Sequence, residues 1–408
     1  MRTRALTFLP WTLGLWAVGV QVHELVATAG AWGTALLCLT LAWPMGRDAL
    51  RPWALLLGFV GAAAIVPLLA GHLPSATGVA RLADWLLVPA AACAVSRLNG
   101  KSLGQIGVAA GVTLVISVTL AALQHFGAWP GPDAFAGLSW TKLGFHRVYE
   151  TVPGRDDRFM AGGLLLHRLK FANVTAAACV AGATAVAWRV PRWRFFAAAT
   201  AVGLVGVGWF PHARAATAAT VGAVAVTWVC AARDRRRAVL GSIALLIASL
   251  LLVLAVPSLR LRFSASLSAE GSGERAAITA AGVEAIRQHP LTGVGLDRFR
   301  PGLFTPPEAP AHAREHPGKA HNQFVTLAAE AGVPAVLLLL ASLILLARRG
   351  LSALPEGALG VGAVGLFFLL ALLHDPLFHP ESSLALMLLL GAGFGAARRD
   401  APVLGERR

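Results

Sequence analysis

The sequence predicts an all-α fold: a polytopic integral membrane protein of about 12 transmembrane helices. Three observations carry that prediction. Of 408 residues, 56% are apolar and only 13% charged, and the mean hydropathy of +0.66 lies far above that of a water-soluble domain. Apolar windows recur at the length that crosses a hydrocarbon core of about 30 Å at 1.5 Å per residue. Lys and Arg fall alternately on one side of those windows, as short cytoplasmic loops require.

The windows lie near 6–22, 27–43, 52–71, 78–95, 106–126, 171–188, 195–210, 215–232, 238–256, 328–347, 358–374 and 382–397. With the amino terminus inside, the inner segments hold Arg2 and Arg4, Arg47 and Arg51, Arg97 and Lys101, and Arg189, Arg192 and Arg194. They continue with "RDRRR" at 233–237, Arg348 and Arg349, and Arg398, Arg399, Arg407 and Arg408, so both termini are expected in the cytoplasm. That assigns 19 of the 35 basic residues to inner segments and one, Arg214, to the four short outer loops. The net charge of +15 then reports orientation and attraction to anionic membrane lipids. Nucleic acid is not an expected partner, because the basic residues are spread over separate loops and share no face.

Residues 1–408 read as one membrane domain with two long periplasmic loops, 127–170 and 257–327, the second partly helical. The second keeps eight basic residues, which a long loop can carry across despite the charge rule. Cys38, Cys93, Cys179 and Cys230 each fall inside an apolar window, which argues against a disulfide framework. The opening "MRTRALTFLPWTLGLWAVGV" has the parts of a signal peptide, with "ATA" at 27–29 as a small-residue site, but a retained first helix is expected. No internal repeat is visible.

In this topology spans eight, ten and twelve run inward, so their positively polarised amino-terminal ends face the outside and favour anions such as phosphate. Polar residues stand before each: His212 and Arg214 in "PHARAAT", "HNQF" at 321–324, and "HDPLFHPESS" at 374–383. An interfacial Arg often only snorkels to lipid headgroups. For Arg214 that reading is weakened by the absence of Lys and Arg from the other short outer loops. In the second long loop, Ala-rich sequence closed by Pro290 predicts a helix over about 274–288, with Arg275 on one stripe with Thr279, Gly282 and Ile286. "GVG" at 293–295 supplies a tight turn, without the strand and helix a dinucleotide fingerprint needs.

His312, His316 and His321, and then His374, Asp375, His379 and Glu381, have metal-ligating side chains, but Pro310 and Pro317 bracket the first set and no HExxH occurs. No metal is expected. Within the windows, Arg81 and Asp84 are spaced to pair on one helix face. His125, Asn173 and Glu330 also lie in or near spans; Glu330 either reaches back to the "HNQ" cluster or caps the helix start.

The residues also form a larger pattern: an Arg entering span eight, Arg275 followed by Pro290, Gly293, Gly295 and Phe299, and "HNxF(x)5ExG" from His321 to Gly332. Together with the long outer loop between spans nine and ten, it resembles the O-antigen ligase and O-antigen polymerase superfamily, with the lipopolysaccharide O-antigen ligases nearest. The motifs are confined to about 212–332, whereas the likeness in topology covers nearly the whole chain. The resemblance implies an inverting, metal-independent glycosyltransferase without cofactor, at the periplasmic face of the bacterial inner membrane. Its donor would be a glycan on undecaprenyl pyrophosphate, and the acceptor of a ligase a sugar hydroxyl of lipid A-core. Position by position, Arg214 and Arg275 match the arginines that engage the donor pyrophosphate, and His321 matches the catalytic histidine. Ala335, Thr279 and "LKFAN" at 169–173 depart from the common pattern.

Arg supplies permanently charged donors for phosphate oxygens, and a neutral His accepts a hydroxyl proton, so the residue types suit the implied chemistry. His212, Lys319, Asn322, Gln323 and Glu330 are supporting candidates. Arg147, Arg155, Arg158, Arg168 and Lys170 in or beside the first long loop are candidates for contact with acceptor phosphates. A polymerase or a protein-directed O-oligosaccharyltransferase would use the same donor residues, and the compact chain without an extra soluble domain favours the ligase. A transporter or flippase fits poorly: the polar cluster sits at one face, with no repeat or midplane site.

Overall fold

The computed structural model describes residues 2–42, 51–129, 150–152, 155–264, 269–307, 311–315 and 319–399. The protein is a multi-pass helical membrane protein. Among the described residues, ten helices are long and apolar enough to cross a membrane. Two shorter apolar helices, of 17 and 16 residues, coincide with predicted windows seven and eleven.

In chain order the helices are α1 (Arg2–Val22), α2 (Glu24–Ala42), α3 (Ala54–Leu69), α4 (Ala76–Asp84), α5 (Leu87–Arg97) and α6 (Gly100–His125). After a strand pair come α7 (Arg168–Ala187), α8 (Trp193–Trp209), α9 (Arg214–Ala231), α10 (Arg235–Ala255), α11 (Pro257–Ser264) and α12 (Ala269–Gln288). The chain ends with α13 (Ala311–Arg314), α14 (Gln323–Ala331), α15 (Val333–Ser352), α16 (Ala358–Leu373) and α17 (Pro380–Arg399).

α17 is the central helix and α10 a peripheral one: 72% of the α17 span is buried against 11% of the α10 span. α17 packs on α1, α5, α7 and α16. Gly391 and Gly395, four apart on one face, let it approach α5 so closely that a Cβ at either would overlap the Val88–Ala92 backbone. That is the small-residue contact by which helices pack in lipid, where no hydrophobic effect drives them together. Outward-facing Leu240, Ile243, Ile247 and Leu254 of α10 are exposed, as a lipid-facing surface should be.

The all-α expectation stands with one local addition, an antiparallel hairpin of β1 (Glu150–Val152) and β2 (Arg155–Met160) in the first long loop. Predicted span four also stands as one candidate span, Ala76–Arg97, with a turn at Trp85–Leu86 that divides it into α4 and α5. Two expectations need correction. Predicted span ten is two helices, because Gly332 adopts φ +82° and separates α14 from the apolar α15. The loop helix is longer than expected, beginning at Ala269.

Candidate active site

The strap leading into α14 is where backbone strain collects. Lys319 (φ +101°) and His321 (φ +57°) both sit in the left-handed region, which non-glycine residues enter only when neighbours hold them there. Asn322 caps α14, its Oδ1 accepting the N–H groups of Phe324 and Val325 at 3.0 and 3.2 Å. Its Nδ2 donates to the Leu372 carbonyl. The Gln323 N–H donates to the His374 carbonyl, and Gln323 Oε1 accepts from the Leu377 N–H. Thr326 Oγ1 donates to Asp375 Oδ1 at 2.6 Å and accepts from the Ala320 N–H at 2.9 Å. Asp375 also accepts from the His321 backbone N–H. The 319–326 segment is therefore clasped to the link between α16 and α17, and the His321 backbone has little freedom.

The other side of the strap rests on α12 and on the glycine-containing turn. Thr279 Oγ1 donates to the Ala320 carbonyl at 2.8 Å. Ala281, Ala285, Phe299, Ala320 and Ala329 form a small buried cluster beneath it. Gly293 has φ +62°, and a Cβ there would run into the Glu330–Ala331 backbone, so the chain can lie directly on α14 only with glycine at this position. The Val294 and Gly295 N–H groups donate to Ala329 and Glu330, and the Val333 N–H to Pro290. The glycines of the "GVG" turn thus fasten one loop to another and build no phosphate cradle.

A buried ion network locks the strap from below. Lys319 Nζ lies 2.8 Å from Glu330 Oε1 and 3.0 Å from Asp297 Oδ1. Asp297 also accepts from Arg81 Nη1 and Ser75 Oγ, each at 2.8 Å. Burial pushes the Asp297 carboxyl up, but Lys319, Ser75 and Arg81 outweigh it and hold it below the usual carboxylate range. Arg81 lies over the Phe378 ring at 4.9 Å. The expected Arg81–Asp84 pair is replaced: Arg81 turns to Asp297, and Asp84 accepts from Ser383 Oγ. The adjoining cavity, about 30 Å³, has room for a water and not for a substrate.

Above the network His321 is half-buried, its ring stacked on His374 with centroids 6.3 Å apart and planes 15° from parallel. Burial, reinforced by the charges of His321, Arg275, Arg168 and His167, pushes His374 down to about 3, so it is a neutral ring. The charges of Arg275 and Arg168 thus reach the ring on which His321 stacks. Burial pushes Asp375 up to about 6, against the pull of the Thr326 hydrogen bond and the Lys319 charge. His379 meets the His167 ring at a tilt of 55°, centroids 4.5 Å apart, and is held well below its ordinary value, chiefly by burial and then by the His167 and Lys170 charges. The local field is positive, as a polyanion requires.

Arg214 opens α9. Gly222 of α9 faces Leu369 of α16 and Thr227 faces Gly362, an antiparallel register that brings the start of α9 level with the end of α16. His212 belongs to a neighbouring cluster, stacked on His125 at 6.1 Å, while His125 Nδ1 lies 2.7 Å from the Phe159 carbonyl. Lys170 Nζ is engaged by Glu381 at 2.8 Å, and Arg155 and Arg158 both pair with Asp157. Arg147, His316 and the side chain of His312 lie outside the described residues. His374, Asp375, His379 and Glu381 each turn to a different neighbour, and among the described residues no three His, Cys, Asp or Glu side chains converge to hold a metal.

Sequence reasoning overlooked Asp297, Thr326 and His167. Asp297 lies within the GxGxxxF stretch, where motif reading attends to the glycines, and its partner Arg81 is over 200 positions away.

No curated protein sequence matches the chain. A family model described as O-antigen ligase matches residues 210–340, a segment that runs from His212 and Arg214 through Arg275 to the His321 strap and Glu330. Over that segment, about a third of the 408 residues, the chain is similar to the O-antigen ligase and polymerase superfamily.

Proposed function

We propose that the protein is an O-antigen ligase: an inverting, metal-independent glycosyltransferase of the bacterial inner membrane, with twelve spans, cytoplasmic termini and its active site at the periplasmic face. It moves a glycan from undecaprenyl pyrophosphate to a sugar hydroxyl of lipid A-core. The acceptor oxygen attacks the anomeric carbon as the bond from that carbon to the pyrophosphate oxygen breaks. The hydroxyl proton passes to His321, and undecaprenyl pyrophosphate departs with the bonding electrons. Arg214 and Arg275 hold the pyrophosphate and stabilise the charge it gains on leaving.

One observation carries this reading: inside the matched segment, His321 is fixed at positive φ with its ring stacked on His374, a ring that the charges of Arg275 and Arg168 also reach. A base and an anion-binding field then occupy one place, and the neutral His374 beside His321 adds no further charge at neutral pH. Asn322, Gln323 and Lys319 support the base by fixing its strap, with Glu330 anchoring Lys319. Among the acceptor candidates, Arg168 is favoured because its charge reaches His374 while Lys170, Arg155 and Arg158 pair with carboxylates.

The test is a reconstituted transfer assay with undecaprenyl-pyrophosphate glycan, lipid A-core, and wild type or His321→Ala. Core modified by wild type, with transfer reduced about 10²- to 10⁴-fold in the variant, supports the ligase with His321 as base. Bare core with lengthening donor glycans would instead identify a polymerase. A His321→Ala protein that retains wild-type transfer would remove His321 from the mechanism.

A further inference from the structure

A large cavity lies far from the candidate active site. It is an open cleft of about 1110 Å³ bounded by the end of α7, the turn into α8, the turn between α9 and α10, and the Pro355–Glu356 link. α7 runs from Arg168, beside the active site, to Ala187, on the cleft wall, and its 20 residues span about 30 Å. The cleft therefore opens at the opposite membrane face.

We propose that this cleft binds the phosphodiester headgroup of an anionic phospholipid. Its walls combine Trp188, Trp193 and Trp228 with Arg189, Arg233 and Arg237. Trp rings favour the headgroup level of a bilayer, and basic clefts between helix ends suit anionic lipid. The aromatic wall is built in: Trp188 Nε1–H donates to the Pro355 carbonyl at 3.1 Å, and the Arg189 guanidinium lies 5.9 Å from the Trp193 ring. Arg189 and Arg192 adopt φ +48° and +67°, so the turn carrying both Trp188 and Trp193 is held in a backbone form that only tertiary contacts sustain.

Charge and surroundings fit the same ligand. Asp234 is already used, capping α10 through the Arg237 N–H at 3.1 Å and pairing with the Arg237 side chain at 3.0 Å. Arg189 and Arg233 remain exposed toward the cleft, with Glu356 the other acid on its wall. Arg192, Arg194, Arg235 and Arg236 stand exposed in the same turns. Leading away along α10, exposed Val239, Leu240 and Ile243 provide an apolar track for acyl chains. A soluble anion would make no use of that track.

The test uses the full chain in uncharged detergent at physiological ionic strength. Its thermal unfolding is followed against dioleoyl phosphatidylglycerol, dioleoyl phosphatidylcholine or inorganic phosphate. Phosphatidylglycerol should raise Tm in a saturable way, well beyond the other two. Arg189→Gln with Arg233→Gln should weaken that binding about thirtyfold, the effect of two interfacial charges. Arg189→Lys with Arg233→Lys should retain most of it. Three results would each overturn the proposal: an equal response to phosphatidylcholine, full reproduction by inorganic phosphate, or unaltered phosphatidylglycerol affinity in the Gln variant. If the Gln variant does not fold, the lipid comparison on wild type and the Lys variant decides.

Discussion

Replacing Lys319 by Met should destabilise the protein through one identifiable carboxylate. The Lys319 and Glu330 side chains are 9% and 8% exposed, so water screens little of their 2.8 Å contact. Asp297 would keep Arg81 and Ser75 after the change, whereas Glu330 would lose the ammonium group that neutralises it. Stranding one member of a buried pair costs about 3–5 kcal/mol. Met keeps the chain length and faces the same φ of +101°, so backbone strain is nearly constant across the comparison. The expected result is a drop in Tm of several degrees or more, followed by intrinsic Trp fluorescence of the purified protein. Adding Glu330→Gln to the same variant should recover most of the loss, because the buried charge is then gone. A Lys319→Met protein within about 1 kcal/mol of wild type would refute the reasoning. So would a double variant no more stable than the single.

Gly293→Ala should be strongly destabilising, by roughly 2–4 kcal/mol from left-handed strain and overlap with α14, while Gly365→Ala, with open space around it, should be near neutral in the same unfolding assay. Lys170→Met should lower stability by stranding Glu381, with Glu381→Gln restoring it, and equal Tm values in the single and double variants would show the pair to be inert. Arg155→Ala with Arg158→Ala should leave Tm within about 0.5 kcal/mol of wild type and raise KM for lipid A-core; an unchanged KM removes both from acceptor binding. His374 is held near 3, so between its ordinary 6.5 and that value only the unfolded chain takes up the proton, and stability falls as pH is lowered through this window. His374→Phe should remove up to about 1.4 kcal/mol per pH unit of that acid sensitivity between pH 6.5 and 4, measured as Tm against pH, and an unchanged slope would show that His374 is not the group responsible. Asp375 acts in the opposite sense below its value of about 6 in both proteins and cancels from the difference.

The spans were legible because lipid demands long apolar runs and charged ends, and each of the twelve predicted windows falls on helical structure. The breaks were less legible. Gly332 ends α14 by a single dihedral, and hydropathy averaged over twenty residues passes across it. The stripe of Arg275, Thr279, Gly282 and Ile286 was read correctly as a face, and Thr279 is the member that touches the strap. Pairing was misjudged where local spacing offered a partner: Arg81 has Asp84 one turn away yet bonds Asp297, because the loop delivers a carboxylate that Lys319 and Ser75 also need. Gln323 and Asn322 read from sequence as chemical helpers, whereas Asn322 and the Gln323 Oε1 bond backbone groups, pairings that depend on tertiary contacts.

The matched segment does not contain the whole site it points to. Residues 210–340 supply Arg214, Arg275, His321 and Lys319, with Asp297, Glu330, Thr279 and Thr326 holding the strap from within, but further groups that hold it come from elsewhere. Ser75 arrives from the start of α4 and Arg81 from its last turn, and His374, Asp375 and Phe378 from the link into α17. Each of these lies at a helix end, and those helices are held in place by the lipid-spanning core, with α17 at its centre. A left-handed histidine is sustainable only while both clasps hold, one from α4 through Asp297 and one from the α16–α17 link through Asp375. The membrane bundle is thus the rigid support that lets a strained loop hold His321, the proposed base, in place. Changes in the helix packing, such as a side chain added at Gly391, should reach His321 through those clasps before they unfold the chain.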